Sequence, residues 1–206
     1  EAGTFLIAAA ATSSSITISP VIPIHLEAVL KKLEESGSKV YIKGNSISIN
    51  GKSINAVKIK TAPFPGFPTD LQAPFMALMT IAKGRSMISE KIFENRMNHV
   101  ALLNQMGASI VVKNNIAHIS GVKKLKGTDL IGTDLRSSAA LVIAALVSEN
   151  ISKIYGLEHL DRGYEEFEYK LSKLGVNIKR EINCGPNYNN KKDILGNDLE
   201  LSIEAA

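Results

Sequence analysis

The chain has 206 residues, of which 45% are hydrophobic and 21% charged, so it has the composition of a globular protein and the length of one large domain or two small ones. Its net charge of +4 suits an anionic small substrate, but aromatic residues make up only 5% and do not alternate with basic ones, so no nucleic-acid partner is expected. The single cysteine excludes an internal disulfide framework, and no apolar run approaches the roughly 20 residues of a membrane span, so we expect no membrane association.

A first copy of a repeated pattern covers about residues 1–60. The apolar run Phe5–Ala11 predicts a helix that is buried on every face. Alternation predicts a strand at Ile16–Ser19, and helical periodicity predicts a helix at Ile24–Glu35. Two alternating runs around Gly44–Asn45 predict a hairpin. With a lead-in strand such as Val57–Lys60, this order is that of a βαβαββ unit.

A second copy covers about residues 61–127 and repeats the same order. The run Leu71–Ala82 predicts an apolar helix, and Ser86–Ser89 predicts a strand. An amphipathic helix is predicted at Asn98–Met106, followed by a hairpin around Asn114–Asn115. The second copy therefore has the same element types in the same order as the first.

A third copy covers about residues 128–182. Its predicted elements are a strand at Leu130–Ile131, a helix at Ser137–Val147, a strand at Ser152–Tyr155, a helix at Tyr164–Leu174 and a strand at Asn177–Arg180. No second hairpin strand is evident, so the strand that closes this copy is expected to be missing from the chain. Residues 183–206 stay unassigned as a loop or disordered tail, in which 199–205 could form a strand or a short helix.

The repeat predicts how the helices are arranged. The second helix of each copy ends in Leu-x-x-x-Gly, and Gly37, Gly107 and Gly175 lie 70 and 68 positions apart. Such a period predicts three α/β modules around one core. If a pseudo-threefold axis relates them, the first helices run side by side and begin at one end of the domain. Their unpaired N–H groups and partial positive charges favour an anion such as phosphate there.

Charged residues of the second and third copies fall near the same end, whereas the first copy has none there. They are Asp70, Asp134 and Arg136 at the first helices, and Glu94, Arg96, Asp161 and Arg162 in the turns before the second helices. Each has a simpler interpretation when taken alone: an aspartate can cap a helix, Arg136 can pair with Asp134, and Arg162 can pair with Asp161. The four histidines lack metal-ligand spacing, so we predict no metal site.

Four stretches together resemble the UDP-N-acetylglucosamine enolpyruvyl transferase family. They are TAPFPGFPTDLQA at 61–73, FENRMNHV at 93–100, TDLRSSA at 133–139 and HLDRGYE at 159–165. The resemblance extends from residue 1 to about 179. It implies an inside-out α/β barrel in which three βαβαββ units surround buried helices, as one of two domains with the substrates between them. This chain would supply most of one domain, and a short N-terminal segment of the family would complete it.

The resemblance also implies an activity and its residues. The family transfers the enolpyruvyl group of phosphoenolpyruvate to the 3-hydroxyl of UDP-N-acetylglucosamine and releases phosphate, the first committed step of peptidoglycan synthesis in the cytoplasm. It uses no cofactor. The family's motifs place Asp70 beside the sugar hydroxyl, as base or orienter, and Ile92 against the nucleotide sugar through its backbone. They imply that Arg136 and Arg162 bind phosphoenolpyruvate and that Arg162 is also catalytic. Arg96 would be a further substrate contact, and Asp134 and Glu94 would be supporting carboxylates.

Three interpretations remain open from the sequence. The chain is part of a transferase that is inactive without its N-terminal half, or a catalytically dead remnant that binds anions or a partner. The third interpretation is that the chain is a basic RNA-binding repeat protein. The mobile-loop cysteine of the family belongs to the missing domain, and Cys184 is not assigned its role.

Overall fold

Three units of the same architecture make up the protein, which is described here from a computed structural model that covers residues 1–182 and 199–204. The first unit contains α1 (Ala2–Ala11), β1 (Ser15–Ile18), a 3-10 turn (Pro23–Leu26), α2 (Glu27–Glu35), β2 (Lys39–Lys43) and β3 (Ser46–Asn50). The second contains β4 (Lys58–Lys60), a 3-10 turn (Thr69–Leu71), α3 (Gln72–Met79), β5 (Arg85–Ser89), α4 (His99–Gln105), β6 (Ser109–Lys113) and β7 (Ile116–Ser120).

The third unit follows the short strand β8 (Leu125–Lys126). It contains β9 (Asp129–Ile131), α5 (Leu135–Ala145), β10 (Ser148–Glu149), β11 (Ser152–Tyr155), α6 (Leu157–Asp161), α7 (Phe167–Lys173), β12 (Asn177–Ile182) and β13 (Leu199–Glu204). The short helix α6 was not predicted, and the helix expected from Tyr164 begins only at Phe167.

Three apolar helices form the centre of the molecule. Nearly every residue of α1, α3 and α5 is buried, and the three helices pack against one another. A helix that is apolar on every face is stable only when it is enclosed, so the sheets lie outside. Each sheet packs on the central helix of its own unit, without closing into a continuous barrel. The predicted fold class is confirmed.

The sheets repeat the same strand order. In the second unit the order is β4-β5-β7-β6, and in the third it is β9-β11-β13-β12. The lead-in strands β4 and β9 run parallel to β5 and β11, and the remaining neighbours are antiparallel. The sheet of the first unit, β1-β3-β2, has no lead-in strand among the described residues. The strand predicted at 57–60 therefore belongs to the sheet of the second unit.

The third unit contains its own closing strand, β13, at residues that the sequence analysis left open as a strand or a short helix. The expectation that its closing strand is missing is wrong, because β13 lies between β12 and β11 and pairs antiparallel with both. Leu201 and Ile203 of β13 are fully buried. Residues 199–204 therefore form part of the domain and not of a disordered tail. Cys184 and the predicted loop at 183–193 lie outside the described residues.

None of the helices in the described part of the chain is both long and apolar enough to cross a membrane.

Candidate active site

The three central helices begin at the same end of the molecule. A Cβ on Gly3, in the first turn of α1, would lie 2.4 Å from the side chain of Leu71 at the start of α3. The hydroxyls of Thr4 and Tyr164 share a buried hydrogen bond of 2.8 Å, which ties α1 to the turn before α7. The starts of α3 and α5 are joined by an ion pair between Asp70 and Arg136. Charged residues from separate repeats therefore meet there.

Asp70 is the centre of this cluster. Arg136 Nε donates to Asp70 Oδ1 at 2.6 Å, and Arg96 Nη1 lies 3.4 Å from the same oxygen and 3.1 Å from the Thr69 hydroxyl. The Arg96 guanidinium also stacks 3.8 Å above the Phe93 ring. Because the Asp70 side chain is 67% exposed, these pairs add at most about 1 kcal/mol to stability. Their arrangement suits ligand recognition better than folding.

Asp134 has a structural task at the start of α5. Its Oδ1 accepts hydrogen bonds from the backbone N–H groups of Arg136 and Ser137, at 2.9 and 3.1 Å. This is the geometry of a helix N-cap. The sequence analysis expected the free N–H groups at the helix starts to bind an anion, but at α5 two of them are already bonded to Asp134. The guanidinium groups are therefore the main cationic donors of the cluster.

Glu90 is a member of the site region that the sequence analysis missed. Its carboxylate is only 1% exposed and accepts hydrogen bonds from the hydroxyls of Thr61 and Thr69 and from the N–H groups of Ile92 and Phe93. Burial by itself raises the pKa of the Glu90 carboxyl, but these four hydrogen bonds together lower that pKa below its usual range. Ionised Glu90 therefore fixes the loop that leads to Arg96. The one sequence signal is a carboxylate directly after the strand predicted at Ser86–Ser89.

A cavity of about 250 Å³ adjoins the cluster between α4 and the start of α5. Its lining includes Glu94, Arg96, His99, Asp134 and Arg136. His99 is buried, and its Nε2 has no hydrogen-bond partner in the described structure. Burial lowers the pKa of His99 to about 4, against the opposing effect of the Asp134 carboxylate. At neutral pH this imidazole is uncharged.

Arg162 does not join the Asp70 cluster. Its backbone lies at the same end of the molecule, because a Cβ on the adjacent Gly163 would lie 2.7 Å from the Leu135 side chain. Its own side chain is exposed, and no described residue makes a hydrogen bond or ion pair with the guanidinium. Asp161, its sequence neighbour, pairs instead with Arg180 at 2.7 Å. The simpler interpretation of Arg162 as half of a local salt bridge is therefore wrong.

Ile92 and Glu94 lie in the loop after β5. The Ile92 side chain is half-buried and its N–H is bound by Glu90, whereas Glu94 is exposed. Within residues 1–182 and 199–204, no three His, Cys, Asp or Glu side chains are close enough to hold a metal ion.

Fold and sequence together place the chain in a family of enolpyruvyl transferases. The family model of EPSP synthase (3-phosphoshikimate 1-carboxyvinyltransferase) matches residues 1–171. The chain therefore belongs to this family, and the resemblance drawn from the four sequence stretches is confirmed.

Its similar relatives are named UDP-N-acetylglucosamine 1-carboxyvinyltransferase. That of Prochlorococcus marinus strain MED4 is 81% identical over 88% of this chain and 40% of its own length, and that of strain MIT 9301 is 72% identical over the whole chain and 44% of its own. The chain thus spans less than half the length of these relatives.

Solved structures show the same fold. The enolpyruvyl transferase NikO from Streptomyces tendae is similar with a TM-score of 0.74 and 25% identity, over 84% of this chain and 42% of its own. An EPSP synthase from Acinetobacter baumannii has a TM-score of 0.70 at 15% identity, over 99% of this chain and 45% of its own, which supports the fold alone.

Proposed function

We propose that the chain is the C-terminal part of a UDP-N-acetylglucosamine 1-carboxyvinyltransferase. The reaction is transfer of enolpyruvyl from phosphoenolpyruvate to the 3-hydroxyl of UDP-N-acetylglucosamine with release of phosphate, the first committed step of peptidoglycan synthesis in the cytoplasm. The observation that carries the proposal is the cluster of Asp70, Arg96 and Arg136, brought together from two repeats in a chain whose relatives bear this enzyme's name. Alone, the chain is expected to be inactive, because it spans only 40% of the MED4 relative.

The arginines suit an anionic co-substrate. Phosphoenolpyruvate carries a carboxylate and a phosphate, both of which match the planar fork of a guanidinium group. Arg136 and Arg96 both contact Asp70, while Arg162 is exposed at the same end of the molecule. Asp134 holds the Arg136 backbone, and Glu94 lines the adjoining cavity, so both act as supporting carboxylates.

The nucleotide sugar would meet Asp70 and Ile92. Asp70 Oδ1 is already engaged by Arg136 and Arg96, so the exposed carboxylate can orient the sugar hydroxyl or accept its proton through the other oxygen. The Ile92 N–H is bound by Glu90, so a backbone contact from Ile92 to the ligand has to use its carbonyl oxygen.

Complementation tests this function. The part of the MED4 relative that this chain does not cover is produced separately and mixed with the chain, and phosphate release is measured with both substrates. We expect activity only in the mixture. Absence of turnover, with UDP-N-acetylglucosamine still bound by the mixture, would instead support the alternative of a catalytically dead binding remnant. If the mixture neither turns over nor binds the nucleotide sugar, the proposed function is wrong.

Asp70→Asn in the active mixture tests the role of the carboxylate. The amide keeps the shape but loses the charge that orients or deprotonates the hydroxyl, so turnover should fall about 100-fold or more while affinity for UDP-N-acetylglucosamine changes little. Turnover and the dissociation constant are measured together. Glu165→Gln is the matched control, because its side chain is 86% exposed, and it should change neither quantity. Equal losses of turnover and affinity would contradict this role.

A further inference from the structure

One arginine joins the two short helices that flank Arg162. Arg162 directly follows α6, and the turn that carries it continues to the start of α7. Arg180 lies on β12, which packs against α7. Its Nη1 and Nη2 donate to the two carboxylate oxygens of Asp161, the last residue of α6, at 3.0 and 2.7 Å. Nη2 also donates to Glu168 Oε2, in the first turn of α7, at 3.0 Å. A single guanidinium therefore connects both ends of the turn.

The repeat indicates that the fold does not require an arginine at this position. Arg180 lies five positions after the glycine that ends the second helix of its unit, and Ile42 and Val112 stand at the equivalent positions of the first and second units. Both are aliphatic and exposed, so neither can bind a carboxylate. The arginine belongs to the third unit alone, and this is the unit that carries Arg162.

The contacts of Arg180 are of the kind that fixes orientation. A guanidinium that engages both oxygens of one carboxylate is restricted to a single planar geometry. The side chains of Arg180 and Glu168 are each 23% exposed, so solvent screens this pair less than it screens the pairs of Asp70, which is 67% exposed. These contacts are therefore suited to hold the two helices in one relative position.

The turn itself has an unusual backbone. Glu166 directly precedes α7 with a φ of +46°, a left-handed conformation that is unfavourable for a residue with a side chain. Such a conformation persists only where the surrounding contacts impose it. Arg180 supplies these contacts at both ends of the turn, and the hydrogen bond between Tyr164 and Thr4 fixes a point within it. The backbone of Arg162 is thus held, while its guanidinium has no partner among the described residues.

We propose that Arg180 is a positioning residue for Arg162. It fixes the turn between α6 and α7, so that the unpaired Arg162 guanidinium is held at the end of the molecule where the Asp70 cluster lies. The proposal rests on the proposed function for the ligand of Arg162, the carboxylate and phosphate of phosphoenolpyruvate. An arginine whose backbone is already fixed loses less conformational freedom when it binds such an anion, so the fixed turn favours binding.

Limited proteolysis of the chain alone tests whether Arg180 fixes the turn. Trypsin cleaves after Arg162, and Arg162 and Gly163 are exposed, so early cleavage of this bond, followed by mass spectrometry, reports opening of the turn. We expect cleavage there to be at least about fivefold faster in Arg180→Gln than in the unmodified chain. The Lys43–Gly44 bond, in the exposed hairpin of the first unit, is the internal control and should be cleaved at an unchanged rate. Unchanged cleavage after Arg162, or faster cleavage at both bonds, would overturn the proposal.

Two further variants keep this test decisive if Arg180→Gln does not fold. Asp161→Asn removes the contact with α6 and leaves the contact with Glu168, so cleavage after Arg162 should be faster than in the unmodified chain, by a smaller factor. Lys124→Gln is the matched control, because it removes an exposed ion pair with Glu149 and should leave that cleavage unchanged. Equal rates in Asp161→Asn and in the control would contradict the positioning role.

The two substrates separate positioning from general damage to the structure. In the active mixture, Arg180→Gln should lower kcat/KM for phosphoenolpyruvate about tenfold, because Arg162 is proposed to contact this substrate. The dissociation constant of UDP-N-acetylglucosamine should stay unchanged. Arg180→Lys keeps the charge without the planar fork, so it should recover only part of the loss. Equal losses for both substrates, or no loss for phosphoenolpyruvate, would rule the positioning role out.

The two proposals fail separately. If the unmodified mixture shows no turnover and no nucleotide-sugar binding, the proposed function fails, and cleavage after Arg162 still decides whether Arg180 fixes the turn. If the mixture is active and neither this cleavage nor kcat/KM for phosphoenolpyruvate responds to Arg180→Gln, the positioning role is wrong and the function stands.

Discussion

At the scale of single residues, Glu90 shows how a buried charge can hold an exposed site. Its Oε2 accepts the Thr69 hydroxyl, whose oxygen accepts Arg96 Nη1, and Arg96 in turn reaches Asp70. A continuous hydrogen-bond path therefore runs from a buried carboxylate to the exposed cluster. The loop that carries Ile92 is fixed by the same group.

Glu90→Gln should break this path. An amide offers one acceptor oxygen in place of two. If that oxygen keeps the three bonds to Oε1, the NH₂ faces the Thr69 hydroxyl, which loses its acceptor, so about 1–3 kcal/mol of stability should be lost. Urea unfolding measures the loss. Glu94→Gln, at an exposed position of the same loop, is the control and should change stability by less than about 0.5 kcal/mol. An unchanged unfolding midpoint for Glu90→Gln would show that the buried charge is not needed.

His99 makes stability depend on pH. Its pKa is lowered to about 4 by burial, whereas an unfolded histidine titrates near 6.5. Between these values the unfolded chain binds a proton that the folded chain does not, so stability falls as pH decreases from about 6.5 to 4. The full effect is about 3 kcal/mol at pH 4. Above pH 6.5 both states are neutral at this residue and the dependence disappears.

Urea midpoints at pH 7.5, 6.5, 5.5 and 4.5 measure this dependence. His99→Gln should flatten the decrease between pH 6.5 and 4.5, whatever its effect on stability at pH 7.5. His118→Gln, which changes an exposed histidine, should leave the slope as in the unmodified chain. The same slope in His99→Gln as in the unmodified chain would assign the pH dependence to other groups.

Some residues of the site could be predicted from the sequence and others could not. Asp70 and Arg136 stand at repeat-related helix starts, so the period alone predicted that they meet. Glu90 could not be found in this way, because a carboxylate after a strand usually faces water and its hydrogen-bond donors come from two separate segments. Arg180, which binds both Asp161 and Glu168, was likewise hidden within a predicted strand.

At the scale of elements, two equivalent glycines let the hairpins approach the central helices. Gly51 follows β3 and Gly121 follows β7. A Cβ on Gly51 would lie 2.5 Å from the Ala9 carbonyl oxygen, and one on Gly121 would lie 1.7 Å from the Ala82 carbonyl oxygen. Both contacts are with backbone atoms, which cannot move aside as a flexible side chain can.

Gly121→Ala should therefore lower the stability of the fold. The added methyl has to displace β7 or the end of the α3 segment, and we expect a loss of about 1–3 kcal/mol in urea unfolding. Gly107→Ala is the control, because a Cβ there meets nothing within 4 Å and only its φ of +88° is unfavourable, at about 1 kcal/mol. A smaller loss for Gly121→Ala than for Gly107→Ala would contradict the close approach.

Element prediction succeeded where turns were short. Gly44 and the pair Asn114–Asn115 adopt positive φ between paired strands, as their residue types predicted. The third hairpin was missed because residues 183–198 separate β12 from β13, and a hairpin signal requires a turn of a few residues. The start of α3 shifted by one residue because Thr69–Leu71 adopt a 3-10 turn before the helix.

At the scale of the whole molecule, the three units share one core. The buried helices α1, α3 and α5 each contact the other two, and the buried apolar residues form one continuous cluster. The composition of these helices predicted a common centre, because none of them has a polar face to turn toward water. The sequence did not reveal which sheet edge stays open, since that depends on which strands are neighbours and not on local pattern.

Ile203→Ala tests whether the shared core unfolds as one structure. Ile203 is fully buried in β13, the strand that completes the third unit, and β13 packs on α5. A large-to-small change at such a position costs about 2–5 kcal/mol. If the units are interdependent, urea should still produce a single transition, shifted to lower concentration and identical by circular dichroism and tyrosine fluorescence. Ser202→Ala, the next residue on the opposite face of β13, should shift the midpoint little. Two separate transitions in Ile203→Ala would mean that the third unit unfolds independently, and the helices α1 and α3 would then form a core without α5.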